Sequence, residues 1–173
     1  YIGRLDPAPP AGITVEALVH GDPTRMPGAR FFRPGECPQT QDSFYMGEGS
    51  RTYRLEPDGS ETVFVDGAES TQNLIERCEL DEVITGSFEG KFVRFARLGS
   101  GEVIADIEVP SHPAFLVLDE DRNRLFVSTS IPAGMVAIDL ATHSIVKVLD
   151  HYFDRDPLFS GTIDMLPVGD RLV

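Results

Sequence analysis

The chain has 173 residues, of which 41% are hydrophobic and 25% charged, and its formal net charge is −13. This acidic charge argues against a nucleic-acid partner, because phosphate binding depends on Lys and Arg. The apolar runs are about five residues long, far below the roughly 20 needed to cross a bilayer, so the composition is that of a soluble globular protein without a membrane span. The sequence leaves the cellular compartment open.

Short alternating segments follow one another from the first residue. Residues 1–23 are predicted to hold the third and fourth strands of a unit, in YIGRLDP and ITVEALVHG. Residues 24–67 contain four predicted strands, in ARFFRPG, SFYMG, RTYRLEP and SETVFVDG, and residues 68–109 contain four more, in QNLIERC, DEVITGSF, KFVRFARLG and GEVIADIEV. Turns rich in Gly, Pro and Asp separate the segments, as in antiparallel hairpins.

Residues 110–150 show the same pattern most clearly. The apolar runs AFLVL, RLFVST, GMVAID and SIVKVL stand in a row there, separated by DEDRN, SIPA and LATH. This spacing predicts a four-stranded antiparallel meander. Residues 151–173 add the insertion HYFDRDPLFSG, and TIDMLPVGDRLV then predicts an inner strand and the start of a second strand.

The repetition of these units predicts the fold class. If Arg4, Arg54, Arg94 and Ala137 are taken as equivalent, the spacings are 50, 40 and 43 residues. Four strands per 40 to 50 residues are typical of an all-β β-propeller with four-stranded antiparallel blades. We therefore expect residues 1–173 to form a single partial propeller domain of about three and a half blades. A second copy or a missing segment is expected to complete the ring, because its end strands would otherwise be unpaired.

The two cysteines, Cys37 and Cys78, lie in successive units. The alignment puts Cys78 inside an inner strand and Cys37 in a turn. A disulfide requires Cα atoms within about 7 Å, so the sequence favours two free thiols.

Candidate site residues lie where each unit enters its inner strand, because this is the mouth of a propeller's central channel. The alignment puts Asn73 level with Pro113, and Gln72 level with His112. The amides of Asn73 and Gln72 could bind a cation or a substrate carbonyl, or Asn73 could simply cap its loop. His112 is a candidate catalytic imidazole at the mouth, with a purely structural or solvated histidine as the alternative.

Two acidic residues interrupt the inner strands, Glu76 and Asp164, and both are predicted to face the channel. A carboxylate there needs a cation, an arginine or water to hold its charge. Both are candidate catalytic residues, with a structural ion pair to Arg30, Arg33 or Arg77 as the alternative. The chain lacks a Gly-x-Ser-x-Gly motif, a phosphate-binding Gly-rich loop and paired-Cys zinc spacing.

The segment SFYMGEGSRTYRLEPDGSETVFVDG resembles blades of the regucalcin and gluconolactonase superfamily, also called senescence-marker-protein-like, and residues 111–149 resemble YVTN-type blades. The resemblance implies a six-bladed ring that holds one divalent cation, calcium or zinc, and hydrolyses lactones. Asn73 in QNL matches the Asn-Gly-Leu motif that supplies a metal ligand, with Leu74 in place of Gly. The early Glu-Gly-Pro motif is replaced by residues 26–29, MPGA, so the early Glu ligand is absent.

Three functions remain open at this stage. The first is an enzyme that hydrolyses small cyclic esters, with Asn73 and either Asp164 or Glu76 at a metal. The second is a metal-free propeller that binds an apolar small molecule and catalyses isomerisation or cyclisation, with the candidate residues His112, Gln72, Phe31 and Phe115. The third is a non-enzymatic scaffold that binds another protein. The sequence favours the first.

Overall fold

The computed structural model describes residues 29–71, 73–130, 133–150, 167–168 and 171–172. Almost all regular structure in these residues is β, and one 3-10 turn occurs at Cys78–Leu80. Within the same ranges, no helix has the length and apolarity needed to cross a membrane.

Three four-stranded antiparallel sheets follow one another along the chain. The first blade consists of β1 (Ala29–Pro34), β2 (Phe44–Glu48), β3 (Arg51–Leu55) and β4 (Glu61–Asp66). The second consists of β5 (Leu74–Arg77), β6 (Glu82–Ser87), β7 (Phe92–Arg97) and β8 (Val103–Glu108). The third consists of β9 (His112–Asp119), β10 (Arg124–Ser130), β11 (Gly134–Asp139) and β12 (Ser144–Asp150). In each sheet the strands pair in chain order, so the predicted meanders and the all-β propeller class are confirmed.

The ladders give a different spacing between the second and third blades from that of the sequence alignment. Leu74 pairs with Thr85 in the second blade, and Leu116 pairs with Val127 in the third. Both residues of the second pair lie 42 positions after their counterparts. The predicted spacing of 43 between these two blades was therefore one residue too long. It came from aligning Arg94 with Ala137 in the third strands by sequence pattern, without knowledge of the hydrogen-bonded pairs.

Apolar residues pack between neighbouring blades. Tyr45, Phe64, Leu74 and Val83 are buried in the interface of the first and second blades. A larger cluster fills the interface of the second and third blades, and it includes Ile84, Phe95, Leu116, Leu125, Val127 and Ile138. The adjacent residues Val83 and Ile84 belong to different clusters because successive side chains of a strand point to opposite faces. The second blade is thus covered on both sides.

The two cysteines form a disulfide, so the prediction of free thiols was wrong. Their Cα atoms are 5.3 Å apart. Cys78 is not inside the inner strand, because β5 ends at Arg77 and Cys78 begins the turn that follows. Cys37 lies in the corresponding turn after β1. Equivalent turns of adjacent blades are neighbours, and the disulfide therefore joins the first blade to the second.

The ends of the chain lie largely outside the described residues. Only the short strands β13 (Pro167–Val168) and β14 (Arg171–Leu172) are described there, and they pair antiparallel. The predicted strands of residues 1–23 lie outside the described ranges, and the unit boundaries remain predictions.

Candidate functional site

Three residues from two blades meet at the edge of the sheets where the inner strands begin, which we call the top edge. His112 is the first residue of β9, and Ser130, the last residue of β10, is its partner across the ladder. Phe88 follows β6 of the second blade and approaches from the side. The His112 and Phe88 rings have centroids 4.8 Å apart and planes 32° apart. The half-buried imidazole is thus held between two blades.

A backbone carbonyl fixes the tautomer of His112. Nδ1 lies 2.9 Å from the carbonyl oxygen of Phe88. A carbonyl oxygen can only accept a hydrogen bond, so Nδ1 carries a proton and donates. In the neutral ring, Nε2 then presents a lone pair. An imidazole oriented in this way can accept a proton from water or from a ligand.

Close contacts surround the backbone of His112 on both sides. Pro113 is buried, and a Cβ on Gly86 would lie 3.4 Å from the Pro113 Cβ, so the second and third blades are in close contact here. On the other side, the Ser111 hydroxyl donates to the Ser130 carbonyl oxygen at 2.6 Å. These contacts fix the backbone on both sides of the imidazole.

Asn73 lies deeper along the inner strands than His112. Its Oδ1 accepts hydrogen bonds from the Leu74 backbone N–H at 2.8 Å and from the Arg33 guanidinium at 3.1 Å. Its Nδ2 donates to the Leu116 carbonyl oxygen at 3.5 Å. Asn73 therefore connects the inner strands of all three blades. By the repeat of 42 it is equivalent to Phe115, so its alignment with Pro113 was two residues out of register.

The contacts of Asn73 do not fit a metal ligand. Two donors already occupy Oδ1, and one of them is a cation that would repel a metal ion. Among the residues that the structure describes, no three His, Cys, Asp or Glu side chains are grouped so that they could hold a metal. The divalent cation implied by the resemblance remains a prediction, because Gln72 and Asp164 lie outside the described residues.

Glu76 was predicted to face the channel. In the structure it is instead buried between the first two blades. Its Oε2 accepts hydrogen bonds from the backbone N–H groups of Glu36 and Cys37, at 2.6 and 2.7 Å, and from the Thr40 hydroxyl at 3.0 Å. Its Oε1 accepts from the Tyr45 hydroxyl at 2.7 Å. The carboxyl group thus holds the turn after β1 in place. These contacts are those of a residue that stabilises the fold.

Two of the three arginines predicted as partners of Glu76, Arg33 and Arg77, bind elsewhere, and the side chain of Arg30 lies outside the described residues. Arg33 pairs with Glu36 at 2.7 Å, and Arg77 pairs with Glu82 at 2.5 Å. Among the described residues, the donors to the Glu76 carboxyl group are backbone N–H groups and hydroxyl groups. Burial and the hydrogen bond to Glu76 raise the pKa of Tyr45 far above its usual value.

The remaining predicted site residues are only partly described. Gln72 and Asp164 lie outside the described residues, as does the side chain of Phe31. Phe115 is half-buried, and its backbone N–H donates to the Ser128 hydroxyl at 3.1 Å. The described hydrogen bonds link neither Asn73 nor Glu76 to His112, so the three candidates do not form one cluster.

Two residues of the His112 group were missed in the sequence. Phe88 and Ser130 lie 42 positions apart and thus occupy equivalent places in consecutive blades. The repeat of 42 makes the two positions equivalent to each other, but only the strand pairing brings Ser130 next to His112. The sequence alignment used a spacing of 43 for these two blades, so it did not make Phe88 and Ser130 equivalent.

Comparisons with known proteins support the fold. No protein-family model and no curated protein sequence matches the chain. Hydrazine synthase from Kuenenia stuttgartiensis is similar in structure, with a TM-score of 0.60 and 13% identity over 70% of this chain and 35% of that one. The dihydro-heme d1 dehydrogenase NirN, solved in complex with DHE, has a TM-score of 0.53 and 12% identity over 69% of this chain and 27% of that one.

A third similar structure is the WD40 β-propeller domain of Doa1, with a TM-score of 0.49 and 12% identity over 61% of this chain and 36% of that one. The chain spans only 27 to 36% of each of these structures. At such low identity the similarity concerns the fold and does not extend to activity.

Proposed function

We propose that the protein binds a small cyclic ester at the top edge beside His112 and hydrolyses it, with the neutral imidazole as general base. The supporting observation is the contact between His112 Nδ1 and the Phe88 carbonyl oxygen, because it leaves Nε2 with a lone pair. The lactone is the substrate class that the resemblance to gluconolactonases implies. The proposed chemistry differs from that family in using an imidazole where the resemblance implies a metal ion.

The contacts of Asn73 support a reaction that is independent of metal. An Oδ1 that accepts from the Arg33 guanidinium is a poor ligand for a divalent cation. His112 and Phe88, in contrast, combine a proton acceptor with an aromatic surface. A small ring could pack on that surface while its carbonyl carbon is attacked by water.

The test is hydrolysis of a lactone panel by the full chain, with and without a strong chelator. We expect turnover that the chelator does not change. His112→Gln should lower kcat/KM by about 100-fold or more, because general base catalysis contributes at least that factor. The matched control is His143→Gln, since His143 is also half-buried and its ring packs 4.4 Å from that of Phe95, near the opposite edge of the sheets.

Two results would contradict the proposal. Loss of turnover on chelation would assign the reaction to a metal ion. Equal activity of His112→Gln and the wild type would remove His112 from the mechanism. Product analysis on the same panel, extended to unsaturated apolar compounds, separates hydrolysis from isomerisation or cyclisation by the same base, because only hydrolysis adds the mass of water.

A further inference from the structure

The chain contains two Asp-Gly pairs, and their local geometries differ. Asp58–Gly59 lies in the turn between β3 and β4, and Asp66–Gly67 lies where β4 ends. In an Asp-Gly pair the glycine nitrogen can attack the carboxyl carbon of the aspartate, because glycine has no side chain that shields the nitrogen. The rate of this attack depends on how closely the nitrogen and the carboxyl group are held together.

At Asp66 the two reacting groups are in contact. The Gly67 backbone N–H donates a hydrogen bond of 2.9 Å to Oδ1 of the Asp66 side chain. The carboxyl carbon is one bond away from this oxygen, so it lies within reach of the nitrogen. Arg51 Nε lies 3.2 Å from the same Oδ1 and holds the side chain on this side. Both partners of that ion pair are exposed, so the pair is weak and the carboxyl group stays open to water.

A buried arginine contacts the same peptide bond. Arg94 Nη1 donates a hydrogen bond to the backbone carbonyl oxygen of Asp66. Two hydrogen bonds to Asp106, of 2.7 and 2.6 Å, hold the guanidinium in place. When the Gly67 nitrogen loses its proton, negative charge develops on the Asp66 carbonyl oxygen. A fixed cation at that oxygen stabilises this charge.

The corresponding groups of Asp58 and Gly59 are bound elsewhere. The Gly59 backbone N–H donates to the Glu56 carbonyl oxygen at 2.9 Å, and Asp58 Oδ1 accepts from the Ser60 backbone N–H at 2.8 Å. Hydrogen bonds from the side chain and backbone of Ser60 lower the pKa of Asp58, which favours its ionised form. An ionised carboxylate is a poor target for a nucleophile. Asp58 is therefore an internal control for Asp66.

We infer that Asp66–Gly67 is a site of spontaneous modification at which the aspartate converts to isoaspartate. The Gly67 nitrogen bonds to Cγ of the protonated Asp66 carboxyl group, its proton passes to a carboxyl oxygen, and one carboxyl oxygen leaves as water. The product is a cyclic succinimide. Water then opens the ring at Cγ, which restores aspartate, or at the Asp66 carbonyl carbon, which gives isoaspartate. Isoaspartate adds one carbon atom to the main chain at the end of β4.

The test ages the full chain for weeks in mildly acidic buffer, both folded and in urea, and maps its peptides by mass spectrometry. Cleavage after Glu61 separates the two sites. The succinimide is lighter by one water, and isoaspartate is recognised by its backbone fragmentation. In the folded protein Asp66 should react at least about tenfold faster than Asp58. In urea the two rates should become similar, because the contacts are lost and both residues precede glycine.

Three results would overturn the inference. The first is an absence of reaction at Asp66 in the folded protein. The second is an equal rate at Asp58 and Asp66 in the folded protein. The third is a ratio of the two rates that is the same in urea as in the folded protein, because the contacts of the folded state would then have no effect.

Arg94→Gln tests the contribution of the cation. The variant should slow the reaction at Asp66 about tenfold or more, because it removes a fixed charge from the developing anion. Arg97→Gln is the matched control, since Arg97 lies in the same strand and is exposed, and it should leave the rate unchanged. An unchanged rate in Arg94→Gln would refute the role of Arg94. A faster reaction at Asp58 would show that this variant has unfolded, and the ratio in the wild-type protein then decides.

Discussion

The Tyr45 hydroxyl donates a hydrogen bond of 2.7 Å to the carboxylate of Glu76, and this contact crosses the interface of the first two blades. Three further donors from the turn after β1 reach the same carboxylate. An acid that sequence patterning suggested for catalysis thus acts as the anchor of a turn 36 to 40 residues away in the chain.

Glu76→Gln should destabilise the fold. The amide keeps the size of the side chain but turns an NH₂ group toward donors, so at least one buried donor loses its acceptor. We expect a loss of about 2 to 3 kcal/mol in the free energy of unfolding, measured by urea denaturation. Glu79→Gln is the matched control, because Glu79 is exposed in the turn that begins at Cys78. Its effect should be below about 0.5 kcal/mol. Unchanged stability in Glu76→Gln, together with lost turnover, would instead make Glu76 a catalytic acid.

Tyr45 should make the fold sensitive to alkaline pH. Burial first, and the hydrogen bond to Glu76 second, raise the pKa of Tyr45 in the folded state. In the unfolded chain the group ionises near pH 10, so above that pH the unfolded state binds fewer protons than the folded state and stability falls as pH rises. The contribution of Tyr45 is complete below about pH 10.

Tyr45→Phe separates this effect from general alkaline unfolding. The variant loses the hydrogen bond to Glu76 and should be less stable at neutral pH. Its free energy of unfolding should decline less steeply than that of the wild type between about pH 9 and 11, because one titrating group has been removed. Parallel pH profiles for the two proteins would refute the assignment.

The disulfide should contribute much of the stability of the first two blades. It joins Cys37 and Cys78 across 41 positions, and a loop of that length corresponds to about 4 kcal/mol of chain entropy in the unfolded state. The double variant Cys37→Ser/Cys78→Ser should lose roughly that amount in urea denaturation. Reductant should lower the stability of the wild type to a similar value and leave the variant unchanged. A reductant effect on both proteins would point to another cause.

Gly101→Ala should be strongly destabilising. Gly101 has φ = +74°, and a Cβ there would lie 1.8 Å from the Phe64 carbonyl oxygen of the neighbouring blade. Gly59 has a similar φ of +82° with nothing within 4 Å of its Cβ position. Gly59→Ala therefore measures the backbone cost alone, about 1 kcal/mol, and Gly101→Ala should exceed it by about 2 kcal/mol or more in thermal or urea denaturation. Equal losses would show that the two blades can separate locally at no cost.

Strand positions in the described blades could be predicted from the sequence because they depend on local information. Alternating apolar residues and turns rich in Gly and Asp bound each strand, and these features lie within a few residues of one another. The interpretation of Cys78 failed at a strand boundary. Placing the end of β5 one residue too late was enough to separate two turns that are neighbours in space.

The surroundings of the candidate residues could not be predicted in the same way. The partners of Glu76 come from a turn of the preceding blade, and the contact that orients His112 comes from Phe88. These contacts depend on how neighbouring blades pack against each other, and the spacing of apolar residues along the chain does not encode that packing. The side chain of Ser130 gave no signal either, since a buried serine is recognisable only once its ladder partner is known.

The bond between Cys37 and Cys78 also encloses the exposed turn of Pro57, Asp58, Gly59 and Ser60, which joins β3 to β4. A protease that cuts the chain once in this turn would not release either piece. The nicked protein would migrate as a single band in a denaturing gel without thiol and as two bands with it. Proteolytic damage at this turn would therefore pass unnoticed under oxidising conditions, and it would be revealed only on reduction.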